Sequence, residues 1–168
     1  MKIKAATFVL LICILFGCKK GDNIVLNGTF TDCPPGGSCS YFYHENVDYT
    51  NLYALTSGQE RVFIYKCVTN DHCTSTQSFY FKTSMGNSSF EIDSVQVLAA
   101  KVATVGLVCP CCDVPANLKQ VHGDIRGKKT GNNTWLINAY LVQNDASGQP
   151  VDTVVVNQYF TLAPNGTL

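Results

Sequence analysis

Cysteine is the residue most able to do chemistry in this chain, with nine in 168 residues, and three of them fall within "CPCCDVP", residues 109 to 115. Thiols that close serve as metal ligands, disulfide partners or redox centres. Cys109, Cys111 and Cys112, with His122 ten residues on, offer a donor set suited to a soft ion, Zn²⁺ or Cu(I). Their C-x-C-C spacing departs from that of structural zinc sites, where two to four residues separate the cysteines so that each thiolate reaches the ion unstrained. Cys109 and Cys112 also have the C-x-x-C spacing of redox motifs. Those motifs open a helix, whereas prolines flank this one in a β-rich setting. The preferred reading is a Cys109–Cys112 disulfide over a tight proline turn, which leaves Cys111 spare or paired elsewhere.

Two further pairs are local. "CPPGGSC" joins Cys33 to Cys39 through a turn-forming insert, and "CVTNDHC" does the same for Cys67 and Cys73. A bridge around so short a loop contributes about 2–2.5 kcal/mol in the chain-entropy model. Spacing prefers these pairs without deciding them, because connectivity is not deducible from sequence.

Other chemistry is thinly represented. There is no G-x-S-x-G, H-E-x-x-H or phosphate loop, and only three glutamates, Glu45, Glu60 and Glu91, are available for paired-carboxylate work. His44 and His72 stand alone on polar stretches. No catalytic residue is assigned, and a binding or structural role is expected. Tyr41, Phe42, Tyr43, Tyr49 and Tyr53 would suit sugar stacking, but a core strand explains them more simply.

The N-terminus answers the question of compartment. Lys2 and Lys4 precede an uncharged run from Ala5 to Phe16, the n-region and h-region of an export signal. Twelve helical residues span roughly 18 Å, short of a bilayer core of about 30 Å. "LFGC", Leu15 to Cys18, then resembles the lipobox of bacterial lipoproteins, with Phe16 bulkier than that family's usual residue. The resemblance implies a diacylglyceryl group on the Cys18 thiol, cleavage before Cys18 and acylation of the new amino group. It also implies an outer-membrane anchor, since Lys19 is not the aspartate associated with inner-membrane retention. Two or three acyl chains hold firmly where one is marginal. Residues 1–17 are thus read as signal, 18–23 as lipidated tether, and 24–168 as one domain.

The chain has zero net charge and only 14% charged residues, so no basic face for nucleic acid is expected. Membrane lipid, through Cys18, is the expected partner, with an envelope protein or glycan as a further one. β signals run through "NIVLNGTFTD" (23–32), "SYFYHENV" (40–47), "RVFIYKCV" (61–68), "QSFYFK" (77–82) and "SFEIDSVQVLAA" (89–100). "KVATVGLV" (101–108) continues them, and 118–162 reads as a three-stranded antiparallel meander with a turn at "TGNN". The stretch 46–58 reads as irregular, and 93–104 as strand despite near-helical spacing of Val95, Leu98 and Val102. The predicted fold is all-β, a single antiparallel domain of eight or nine strands, sandwich or barrel, stapled by disulfides. "NGTF" (27–30) resembles the G-x-W near the start of lipocalin barrels, which would imply a cavity for a small apolar ligand.

Overall fold

The computed structural model describes residues 24, 26, 28–51, 54–70, 73–98, 103–111 and 119–164. They form eight strands: β1 (Gly37–Asn51), β2 (Ala54–Asn70), β3 (Thr74–Ser84), β4 (Ser89–Ile92), β5 (Ala103–Val108), β6 (Lys119–Gly131), β7 (Thr134–Asn144) and β8 (Pro150–Leu162). A short helix, α1 (Ser94–Leu98), stands between β4 and β5. The strands make one sheet in the order β4-β6-β7-β8-β1-β2-β3-β5. Two meanders, β1–β2–β3 and β6–β7–β8, lie side by side, with β5 and β4 at the outer edges.

The expectation of a wholly antiparallel domain is corrected at the junction of the meanders. There β1 runs parallel to β8, with Phe42 opposite Thr161 and Tyr43 opposite Leu162. No hairpin links these two strands, so no tight turn forces them antiparallel. The barrel alternative is also corrected, because β4 and β5 end the sheet without pairing to each other among the described residues.

The sheet doubles over on itself. Neighbouring strands stand about 4.8 Å apart, which would put β7 about 14 Å from β2 in a flat sheet. Yet the rings of Trp135 on β7 and Phe63 on β2 have centroids 5.4 Å apart, edge to face. The inner faces therefore meet, and the alternation in β2, β3, β7 and β8 supplies Phe63, Phe79, Phe81, Trp135, Ile137, Leu141, Val156 and Phe160 to one buried cluster. Side chains of both faces fill the interior of that cluster.

Three local expectations change. Residues 28–32 form no strand, although Thr31 N donates to Asn157 O at 3.1 Å. Asn157 N in return finds Thr31 Oγ1 at 3.0 Å, a side-chain hydroxyl in place of a backbone carbonyl, so no ladder propagates. Within 93–104, residues 94–98 are helical because Asp93 caps them. Its Oδ1 accepts from Val95 N at 3.0 Å and Gln96 N at 2.9 Å, while Gln96 Oε1 accepts from Asp93 N at 3.1 Å. That is a reciprocal capping box, and it drives Val97 into the core. Residues 103–108 are strand, as β5.

Within 46–58, residues 46–51 and 54–58 are ladder, not irregular loop: Asp48 pairs with Thr56 and Tyr49 with Leu55. A register shift beside Asn46, whose φ is 58°, bends the hairpin. Gly58 allows the crossing, since a Cβ there would lie 2.6 Å from Val47 C and 2.7 Å from Asp48 N. The hairpin end covers a second cluster of Val62, Ile64 and Tyr80 with Val47, Tyr49 and Leu55. Lys82 Nζ pins it to Asp48 Oδ1 at 2.7 Å. That hydrogen bond holds the Asp48 carboxyl below its ordinary value of 3.8. Asp48 therefore stabilises the fold in full above its ordinary value and ceases to do so as pH falls through the lowered folded value. Both side chains are partly solvated, so Asp48→Asn is expected to cost about 0.5 kcal/mol at neutral pH. It should also flatten the acid limb of a urea-midpoint-against-pH curve; an unchanged limb would contradict the assignment.

Candidate functional site

One end of the folded sheet gathers the cysteines. Cys33 and Cys39 are bridged, with Cα atoms 5.7 Å apart, across the turn that starts β1. Cys67 on β2 stands directly opposite Cys39 and is a buried free thiol. The expected Cys67–Cys73 bridge is thus corrected. Cys67 points into the core beside Tyr65, whereas Cys73 lies past the end of β2 and is joined to Cys111, with Cα atoms 6.3 Å apart. The pairing of β5 with β3, Thr76 opposite Val108, is what delivers residues 109–111 to Cys73. Cys109 is also disulfide-bonded. Cys112, its expected partner, lies outside the described residues, as do Cys18 and His72.

Two groups of three sulfurs result. The Sγ atoms of Cys33, Cys39 and Cys67 all lie within 4.8 Å of one another, and so do those of Cys73, Cys109 and Cys111. The second group contains two members of the expected metal set, Cys109 and Cys111, together with Cys73. His122 is exposed on β6, beside Val142 of β7, and is not part of that group among the described residues. A sulfur held in a disulfide is not the thiolate that Zn²⁺ or Cu(I) requires. The oxidised cluster is therefore a staple between the β2–β3 turn and the end of β5.

Around Cys67 the interior turns polar. Tyr65 lies beside Cys67 in the buried cluster and stacks on Tyr41 with centroids 5.3 Å apart. Burial, then the contact with Cys67, pushes the Tyr65 hydroxyl well above the usual phenol range. Burial likewise raises Tyr41. Gln77, opposite Cys67 on β3, donates from Nε2 to Asp152 Oδ2 of β8 at 2.7 Å, tying the two layers together.

The aromatic run of β1 serves packing. Tyr43 is buried against Phe63 and Tyr41 against Phe160, while Phe42 and Tyr49 border the second cluster. His44 sits edge-on to Phe42, and burial lowers its pKa, so the ring is neutral at pH 7. The exposed rings are elsewhere, on the outer face of β7 and β8. Tyr140 stands opposite Val155, and Leu136 opposite Tyr159, with Asn138 and Asn157 between the two rows. Tyr140, Val155, Tyr159 and the adjoining Phe30 are each about half exposed. Phe30 and Tyr159 have ring centroids 5.2 Å apart. Asp124 and Arg126 of β6 extend the rows, and Arg126 Nε is 3.1 Å from Glu91 of β4. The period-two alternation of "TWLINAYLV" and "VDTVVVNQYFTL" carries the signal for this face, since Tyr140, Val155 and Tyr159 alternate with the inward-facing Ala139, Leu141, Val154, Val156 and Phe160.

Fold and site together define a disulfide-bonded, mixed-sheet β protein with, among the described residues, one buried free thiol and an aromatic outer face. No protein-family model matches the chain, and neither does any curated protein or solved structure. Among the described residues no helix is long and apolar enough to cross a membrane.

Proposed function

We propose that the chain is an exported lipoprotein, anchored through acylated Cys18, whose sandwich-like β domain binds an envelope glycan on the outer face of β6, β7 and β8. The observation carrying this reading is the pair of aromatic rows, Tyr140 with Val155 and Tyr159 with Phe30, separated by amide side chains. Contiguous exposed apolar groups mark contact surfaces, and tyrosine offers a flat apolar body with a polar tip. Such faces take the C–H faces of sugar rings, while Asn138, Asp124 and Arg126 can hydrogen-bond hydroxyls. The charges nearby have both signs, Arg126 and Lys128 against Asp124 and Glu91, which favours a neutral polyol over a phosphate-rich ligand. Phe30 follows Cys18 by twelve residues, a tether of at most about 40 Å, so the face stays within reach of the cell-envelope surface. Disulfides accord with export.

Two measurements separate anchor from ligand. Labelling with radioactive palmitate should be abolished by Cys18→Ser, and the protein should move to the soluble fraction; retained label would overturn the lipoprotein reading. Titration with soluble fragments of the cell's peptidoglycan and surface polysaccharides should show saturable binding. Tyr140→Ala and Tyr159→Ala should each weaken it about tenfold without lowering the melting temperature. Equal binding by the variants, or binding only to glycan-free lipid vesicles, would overturn the glycan assignment.

A further inference from the structure

We propose that Cys33, Cys39 and Cys67 form an intramolecular thiol–disulfide exchange site, which transfers the free thiol from the core to the surface and presents it there to a low-molecular-weight disulfide. Three observations meet at this point. Cys67 is a free thiol. It stands directly opposite Cys39 in the antiparallel β1–β2 ladder. Its Sγ lies within 4.8 Å of both sulfurs of the Cys33–Cys39 bridge. Residues directly opposite in such a ladder have Cα atoms about 4.5–5.5 Å apart, inside the disulfide window of about 4.4–6.8 Å. A Cys39–Cys67 bond therefore needs side-chain rotation and no movement of the strands. Cys33 has no such register with β2; it precedes β1, in a turn whose residues Pro34, Pro35 and Gly36 are exposed. Cys39 is thus the sulfur attacked and Cys33 the leaving group.

The exchange balances without an outside oxidant. Cys67 gives up its proton and its Sγ attacks Cys39 Sγ; the Cys39–Cys67 bond forms as the Cys33–Cys39 bond breaks. Cys33 departs as thiolate and takes up one proton, so oxidation state and proton count are unchanged. In the product the buried position is bridged and the thiol is at the half-buried Cys33. Cys33 thiolate then attacks a small disulfide, R–S–S–R, forming Cys33–S–S–R and releasing RS⁻, which is protonated to R–SH. Packing of Cys67 in the buried cluster with Tyr65, and the Gln77–Asp152 bond on the facing strand, hold the buried partner in place. The second sulfur group is already spent in bonds and has no comparable thiol.

The test uses the full chain, purified unreduced, and oxidised glutathione as the probe disulfide. Native protein is incubated at pH 8, quenched in acid, digested with pepsin at low pH, and mapped by mass spectrometry. The expected product carries glutathione on Cys33 and a Cys39–Cys67 bridge. Glutathione on Cys67 with Cys33–Cys39 intact would overturn the proposal, as would no adduct on any of the three. Cys67→Ala should slow adduct formation at Cys33 at least tenfold, because no internal nucleophile then opens the bridge. An undiminished rate would contradict the mechanism. The wild-type map decides the matter even where that variant folds poorly.

Discussion

Arg61→Ala is expected to lower the unfolding free energy by about 3–5 kcal/mol, among the largest losses available to a single substitution in this chain. The Arg61 side chain is only 4% exposed. Its Nε and Nη2 bond Glu45 Oε1 at 3.1 and 2.8 Å, Nη2 also reaches Met85 O at 3.3 Å, and Nη1 reaches Asn87 O at 3.4 Å. The guanidinium carbon lies 4.6 Å from the Trp135 ring centre and 5.8 Å from that of Tyr43. One side chain therefore ties β2 to β1, to the β3–β4 turn and to the facing layer. Alanine removes the charge-assisted bonds and the cation–π contacts, and opens space against Trp135. Lysine is not a substitute, because a point charge cannot serve a carboxylate and two carbonyls from one planar fork. Glu45→Gln should cost less than alanine at Arg61, since Glu45 is 32% exposed and water can share its replacement. Urea denaturation of the three variants gives the ordering; a loss below 1 kcal/mol for Arg61→Ala would show that the ion pair is surface-like.

The parts of this architecture that could be read from sequence are those where one face is buried and the other is wet. Trp135, Ile137, Ala139 and Leu141 alternate with polar or half-exposed neighbours, and the structure buries all four. The "TGNN" turn between β6 and β7 closes where its asparagines predict. Illegible parts depend on partners distant in sequence. Whether β1 meets β8 in parallel is settled by packing of the two meanders, which leaves no local mark. The same holds for Cys73 and Cys111, separated by 38 residues and brought together by the β3–β5 pairing. Cys67 was assigned to the nearer partner by spacing, yet its position in the alternation of "RVFIYKCV" shares a face with Phe63 and Tyr65 and sends it inward. The helix at 94–98 has a local signature, since "DSVQ" carries both capping residues, while its β-branched valines favour strand. The residue types of the aromatic face have no such signature, because outward positions of a strand carry no burial requirement that fixes them.

Phe63→Ala is expected to cost about 3–5 kcal/mol, comparable to the loss at Arg61 but by a different route. Phe63 is fully buried and lies at the centre of the ring cluster. Its centroid is 4.7 Å from Phe81, 5.3 Å from Tyr43, 5.4 Å from Trp135, 5.6 Å from Phe90 and 5.9 Å from Phe160. These rings come from β3, β1, β7, β4 and β8, so truncation at one position opens a cavity against five strands. Their backbones are fixed by ladders, which limits collapse and keeps the cavity term large. Phe63→Leu retains most of the volume and should lose less, about 1–2 kcal/mol, as edge and stacking contacts go while the space stays occupied. A graded series, wild type then leucine then alanine, at nearly constant urea m-value would identify a packing loss within one cooperative core. Were leucine as damaging as alanine, ring geometry would govern the core more than volume. A loss of under 1 kcal/mol for alanine would instead mean that the two layers are held by the Arg61 and Gln77 ties and the disulfides, with the rings filling space between them.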